Sequence, residues 1–212
     1  MKNRHLDESE ARAYHHGDLR RALVQASLAI VGEEQDWAFS LREVARRAGV
    51  SHNAPYNHFA DKNDLLVAVA AAGLERLRDK MLAAIEGIDD PALALLASGL
   101  AYVRAGVENP ALYRLIFGPA LAAAGARPVG VMAAGARTRE VLEQIVERGA
   151  RAGAFAIAPD DSRGRAVATL SAWSAVHGLT TLAIDGLADP QLSIDELVIG
   201  VTGTILNGLR PR

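Results

Sequence analysis

At 212 residues, half of them hydrophobic and only 5% aromatic, the chain can bury a sizeable core and is composed for packed helices rather than a β-sandwich. It has no cysteine, which excludes disulfides, thiolate catalysis and cysteine-held zinc or iron–sulfur sites and fits a reducing compartment. A net charge of −2 gives no global case for nucleic-acid binding. Residues 1–62 balance nine Lys/Arg against nine Asp/Glu, so any electrostatic footprint must come from placement.

The N-terminal MKNRHLDESEARAYHHGD is polar and has no apolar stretch of the signal-peptide kind. Residues 1–13 read as a solvated arm. The longest uncharged apolar run, Ala92 to Val103, falls short of the roughly 20 residues a bilayer requires, so a soluble, cytoplasmic protein is expected. A first helix is expected from Asp18, an N-cap type, to about Gly32, with Leu19, Leu23, Ala26 and Ile30 at helical spacing. Ser40-Leu41-Arg42-Glu43 has the form of a capping box and opens a second helix to about Ala48, ended by Gly49.

Further along, Asp61 caps a long helix from about Lys62 to Ile85, with Leu66, Val69, Gly73, Leu77, Met81 and Ile85 on one face. Pro91 opens another helix to about Asn109, and Asn109-Pro110 starts a short one that Gly118-Pro119 stops. The Gly/Ala/Pro-rich stretch 118–128 is the loosest part of the chain. A helix over about 129–150 uses Val141, Leu142, Ile145 and Val146. The last two helices are expected over 161–185 and 194–207, the second opened by the capping box Ser193-Ile194-Asp195-Glu196 and ended by Gly208. No strand pattern and no internal repeat is found, so the fold class is all-α, with about nine helices.

The stretch 40–59 has the layout of a helix-turn-helix: a short helix, a turn over Ala48-Gly49-Val50-Ser51, and a second element to be held across it. Gly49 supplies positive φ, Val50 plugs the angle, and Ser51 is placed to cap the second helix. That element, SHNAPYNHF, contains Pro55. With Ser51 as the N-cap, Pro55 falls at the fourth helical position and removes only the first intrahelical hydrogen bond, so an α-helix is expected to survive it. Pro55 either stiffens the first turn or is a neutral apolar contact; the sequence leaves both open.

These residues carry a resemblance. Val44-Ala45-Arg46-Arg47-Ala48-Gly49-Val50-Ser51, Tyr56-Asn57-His58-Phe59, Lys62 and Leu65 in this order resemble the DNA-binding domain of TetR-family transcriptional regulators. Tyr14-His15-His16-Gly17-Asp18-Leu19-Arg20, His52 to Phe59 with its proline, Asn109-Pro110-Ala111-Leu112-Tyr113-Arg114-Leu115-Ile116-Phe117-Gly118 and Trp173-Ser174-Ala175-Val176-His177-Gly178 are similar to the subgroup with a WHG-type C-terminal domain. The departure is Asn53-Ala54-Pro55, where members commonly carry a small residue and then an aliphatic one before the tyrosine. The resemblance implies a three-helix DNA-binding head over residues 1–61 and a helical ligand-sensing and dimerisation domain over 62–212. It implies a homodimer that binds a palindromic operator, represses, and is released when a small molecule binds among residues 91–185 and shifts the 62–85 helix.

Position by position, the resemblance places Arg42 where a base or phosphate is met, and arginine suits guanine bidentately. It sets His52, Asn53 and Ala54 at base edges, where Asn53 suits adenine and Ala54 a thymine methyl. Ser40, Ser51, Tyr56, Asn57 and Lys62 are placed at phosphates, and Tyr14, His15 and His16 near the backbone or minor groove. Arg46 and Arg47 read better as a solvated face, His58 and Phe59 as core, and His15-His16 lacks a third ligand for a metal site. In the sensing half, Trp173 and His177 stand at i and i+4, as a pocket wall or as a histidine satisfied beneath a core tryptophan. Arg104 is a lone charge suited to an acidic ligand or to solvent; Tyr102, Tyr113, Phe117 and Met132 are candidate pocket lining or ordinary core. No strong charge cluster marks this half, which favours an uncharged or hydrophobic effector.

No phosphate loop, His-Glu-x-x-His pair or nucleophile elbow is found, and Asp160-Asp161 reads as a helix cap, so neither an enzyme nor a cofactor is expected. The competing class is a helical ligand-binding protein without operator binding; Arg42, Tyr56 and Lys62 weigh against it.

Overall fold

The computed structural model describes residues 4–121 and 128–210, with side chains from Leu19 onward. Every regular element among them is helical: α1 (Arg4–Glu34), α2 (Leu41–Arg47), a 3-10 turn (Ala54–Asn57), α3 (Lys62–Ile85), α4 (Pro91–Glu108), α5 (Pro110–Phe117), a second 3-10 turn (Pro119–Leu121), α6 (Val129–Arg151), α7 (Ser162–Ile184) and α8 (Ile194–Leu209). The all-α expectation holds. Of the loose stretch 118–128, residues 122–127 lie outside the described residues.

Most helix starts follow from local capping chemistry. The Asp61 carboxylate accepts from the Asp64 amide at 2.8 Å and starts α3 at Lys62. Asp90 accepts from the amides of Ala92 (2.7 Å) and Leu93 (3.4 Å), with Pro91 at the first helical position where its missing N–H costs nothing. At α8 the capping box is complete: the Glu196 amide donates to Ser193 Oγ (3.2 Å) while the Ser193 amide donates to the Glu196 carboxylate (2.8 Å). Each such cap contributes about 1 kcal/mol.

Helix α1 departs from expectation at both ends. It begins at Arg4, not Asp18, so the backbone of the supposed arm is helical from Arg4 on. Residues 4–16 contain no proline or glycine and are rich in Ala, Glu, Leu and Arg, which outweighs the local cap preference of Asp18. At the other end α1 passes Gly32 and stops at Glu34. Gln35 takes the left-handed conformation (φ 54°), and its side-chain amide donates to the Gly32 carbonyl at 2.7 Å, covering a terminal acceptor. Likewise α8 continues through Gly208 to Leu209, a difference of the size at which helix ends fray.

The chain forms two compact units. One holds the described residues up to Gly73 and those between Ala111 and Val131; the other holds Leu74–Pro110 and the described residues from Met132 on. In the first, Leu23, Leu28 and Val31 of α1, Val44 and Ala45 of α2, Phe59, and Leu65 and Val69 of α3 are essentially inaccessible. Burying each large apolar side chain contributes about 1.5–3 kcal/mol. Gly73 lets α5 approach: a Cβ there would lie 3.0 Å from both Leu112 and Ile116.

In the second unit, α4, α7 and α8 pack together and α3 meets α6. A Cβ at Gly99 would meet Thr202 and Val176 at 3.4 Å. The buried Thr138 hydroxyl donates to the Ala134 carbonyl (3.0 Å) and lies 3.1 Å from that of Leu74. The α6 stripe Val141, Leu142, Ile145 and Val146 is buried as its spacing predicted. After α6, Phe155 is buried against Gly149, and the Ala156 amide donates to the Leu209 carbonyl at the end of α8 (2.6 Å).

By length and composition alone α7 could cross a bilayer. Residues 166–184 hold no Lys, Arg, Asp or Glu and outrun Ala92–Val103, but Thr, Ser and His residues interrupt the apolar ones. Its Ala168, Thr169, Ala172, Leu179 and Thr180 are buried within its own unit, as in a packed helix.

Candidate nucleic-acid interface

The helix-turn-helix is built from Phe39 onward. Phe39 is buried, and Ser40 Oγ accepts from the Glu43 amide at 3.2 Å, opening α2. Leu41, Val44 and Ala45 turn inward, which leaves Arg42, Arg46 and Arg47 outward. Arg47 pairs with Glu33 at the end of α1, and Arg46 lies 4.0 Å from Glu43. Arg42 makes no ion pair among the described residues. Gly49 then takes φ +70°, as the turn requires, and the Val50 amide closes back to Ala45 at 3.0 Å.

The element after the turn differs from the expected α-helix. Ser51 and His52 lead into a four-residue 3-10 turn, Ala54–Asn57, with Asn53 at its N-cap and Pro55 in its first two positions. The reason lies in one missing donor. In an α-helix the Ser51 carbonyl would accept from residue 55, but proline has no N–H. The Ala54 amide reaches that carbonyl instead, at 2.9 Å, in a three-residue bond. Tyr56 N–H to Asn53 C=O (3.2 Å) and His58 N–H to Pro55 C=O (3.0 Å) repeat the pattern. Pro55 therefore sets the winding of the element, beyond the loss of one bond.

The expected contact residues are distributed unevenly. Ser40, Arg42, Ser51, His52, Asn53, Tyr56 and Asn57 are exposed, Tyr56 at 55% despite its ring. Ala54 is only 8% exposed and packs inward with Pro55, so its methyl is directed at this unit's own core and not at a base; the tighter turn rotates it there. Lys62 is half-buried, with Nζ 5.2 Å from the Phe39 ring centre, within cation–π range. The side chains of Tyr14, His15 and His16 lie outside the described residues. Arg20 was not singled out from sequence, yet its guanidinium stands 5.0 Å from the ring centre of Phe59. No local spacing signals a contact between residues so far apart in the chain.

In the second unit, Trp173, Tyr102 and His177 form a connected polar set. Trp173 Nε1–H donates to the Tyr102 oxygen at 3.3 Å, and Tyr102 Oη lies 3.0 Å from His177 Nδ1. An indole can only donate, so the tyrosine oxygen accepts there, while the direction of the bond to Nδ1 follows the imidazole tautomer. The Trp173 and His177 ring centres are 5.9 Å apart, and Tyr102 is 4% exposed. Arg104 faces a carboxylate of its own chain: Nε donates to Asp195 Oδ1 at 2.9 Å, and a second nitrogen meets Oδ2. That hydrogen bond holds the Asp195 carboxyl below its ordinary pKa; burial opposes the shift and the charge of Arg104 reinforces it. Met132 is 60% exposed. Tyr113 and Phe117 belong to the first unit, their ring centres 4.7 Å apart.

Residues 33–69, which contain this helix-turn-helix, match the family described as bacterial regulatory proteins, tetR family. Residues 95–201, just over half of the chain, match the tetracyclin repressor-like C-terminal domain. The chain belongs to the TetR family. Its relatives are transcriptional regulators, not enzymes. The HTH-type transcriptional regulator BetI of Rhizobium meliloti strain 1021 is 38% identical over 72 residues, 34% of this chain and 36% of that protein. BetI of Yersinia pestis strain Pestoides F is 31% identical over 115 residues, 45% of this chain and 58% of that one. The chain thus spans 36% and 58% of the length of these two curated relatives. A solved protein of unknown function from Rhodococcus sp. RHA1 is 32% identical, with a TM-score of 0.77, covering 93% of this chain and 98% of its own. A TetR-family regulator from Marinobacter aquaeolei VT8 shares the fold at 19% identity and a TM-score of 0.64, covering 94% and 100%.

Proposed function

We propose that this TetR-family protein is a cytoplasmic, effector-released repressor that binds a palindromic operator as a homodimer, within the subgroup carrying a WHG-type C-terminal domain. The observation that carries the reading is the state of the polar side chains on the helix-turn-helix. Arg42, Ser51, His52, Asn53, Tyr56 and Asn57 are exposed together and form no side-chain hydrogen bond or ion pair among the described residues. Such groups are available to phosphates and base edges. Residues 1–61 form the head and residues 62–212 the sensing and dimerising part.

One short reading element spans too few bases, so two heads about 34–36 Å apart, or a multiple of that, read one palindrome. The second copy docks on α7 and α8, where Val167, Leu170, Leu182 and Ile199 are exposed beside Gly200. An uncharged or hydrophobic effector binds among residues 91–185 and favours a state that releases DNA, and α3 carries the change. Moving the equilibrium from 99:1 to 1:99 takes about 5.5 kcal/mol of differential effector binding.

The test is a gel shift with the purified protein on DNA from its own upstream region, repeated over salt. Affinity should fall steeply as salt rises, because each neutralised phosphate releases counterions. The double substitution Arg42→Ala and Tyr56→Ala should weaken the shift by about thirtyfold or more while the dimer elutes unchanged. A shift of undiminished affinity from that variant would overturn the assignment.

A further inference from the structure

We propose that Pro55 is a positioning residue that decides which bases the recognition element reads, by holding it in 3-10 winding; this rests on the DNA-binding reading above. Three observations lead to it. The turn's amides bond three residues back, from Ala54 to Ser51, Tyr56 to Asn53 and His58 to Pro55, at 2.9, 3.2 and 3.0 Å; only at its end does the Pro55 carbonyl also take a four-residue bond, from Phe59 at 2.9 Å. Ala54 and Pro55 are both buried, so the winding is anchored from beneath by the residue that causes it. Asn53 is the N-cap residue, yet its side chain makes no capping hydrogen bond and stays exposed. Its amide therefore keeps a full complement of donors and acceptor for a partner outside the chain.

The consequence is geometric. A 3-10 turn advances about 120° per residue and an α-helix about 100°. Asn53 and Tyr56, three residues apart, are eclipsed in the first case and about 60° out of line in the second. A side chain as long as tyrosine carries its hydroxyl several ångströms sideways under such a rotation. Eclipsed, the two present one narrow column: an amide suited to adenine N6 and N7, and beside it a phenol suited to a phosphate or a second base edge. Restoring an N–H at position 55 gives the Ser51 carbonyl its four-residue donor again and lets the element wind as an α-helix. Arg42 stands on α2, whose hydrogen bonds do not involve position 55, so its own base preference is independent of the winding.

The experiment is selection from random duplex DNA with the purified full-length chain as wild type, Pro55→Leu, Pro55→Ala, Asn53→Ala and Arg42→Ala, with thermal unfolding of each. Wild type should enrich a palindrome, and Asn53→Ala should relax one adenine position in each half-site by about tenfold to a hundredfold. Pro55→Leu should change the preferred bases at and beside that position and leave the Arg42-dependent positions as they are. Pro55→Ala, which restores the N–H with a minimal side chain, gives the same readout where the leucine does not fold. A Pro55 variant that enriches the wild-type sequence, with affinity changed uniformly across it, overturns the positioning role. A wild-type chain that enriches no sequence overturns the DNA-binding reading, and this inference with it.

Discussion

The two units spend their polar side chains in opposite ways. In the second, Trp173, Tyr102 and His177 satisfy one another, and Arg104 takes Asp195, Arg137 takes Glu75 and Lys80 takes Glu108. Each of those ion pairs links two helices. In the first, Arg46 and Arg47 pair with glutamates, but Arg42, Ser51, His52, Asn53, Tyr56 and Asn57 are held out on a buried frame without side-chain partners among the described residues. Paired groups lower the energy of the fold that contains them. Unpaired ones contribute nothing to that fold and keep their bonding capacity for a partner. The contrast separates groups that hold a structure from groups that meet something.

Substitution distinguishes the two behaviours. The largest effect on stability is expected from Tyr102→Phe, which removes the hydroxyl that both Trp173 Nε1 and His177 Nδ1 meet. At about 1–3 kcal/mol for a buried group left unsatisfied, and less where it is half-exposed, the loss should be near 2 kcal/mol by urea unfolding. An unchanged midpoint would mean that the set is not a source of stability. The same measurement on Arg42→Ala with Tyr56→Ala should move stability by no more than about 0.5 kcal/mol, since neither side chain is paired in the fold. A larger loss would show that these residues support the fold and would blur the contrast.

The smallest effect belongs to Arg104 and Asp195, both exposed, where solvent screens the pair. The folded carboxyl titrates below the ordinary aspartate value of 3.8, so its contribution is present above that pH and disappears as acid protonates it. Glu196 behaves in the same way, held down first by the Ser193 hydroxyl and then by the Ser193 amide. Arg104→Gln should therefore change the thermal midpoint slightly at pH 7 and not at all well below pH 3.8. A difference that persists in acid would assign the effect to packing of the arginine stem.

What could be read from sequence was whatever is decided within one turn of helix. Asp61, Asp90-Pro91 and Ser193 with Glu196 mark starts because a cap acts on amides two or three residues away, and Pro110 marks one because its fixed φ suits a first helical position. Gly49 was legible for the same reason. The start of α1 was missed because a run of good helix formers outweighed one good cap. The winding at Pro55 was missed because counting lost bonds does not say which amide takes the vacated carbonyl. The inward turn of Ala54 follows from that winding, whereas the pairing of Arg104 with Asp195 and the seats of Lys62 on Phe39 and Arg20 on Phe59 depend on tertiary placement. Nothing local encodes them. Arg104 therefore looked like a solitary charge until α8 was folded beside it.

The contact between α4 and α8 has a further consequence. The Thr202 hydroxyl is buried beside Gly99, where it finds no hydrogen-bond partner among the described residues. Valine has nearly the same outline without the oxygen. Thr202→Val should leave the unfolding midpoint where it is or raise it. An engineer seeking a more heat-tolerant regulator thus has a place to begin that is far in sequence from the residues offered to DNA.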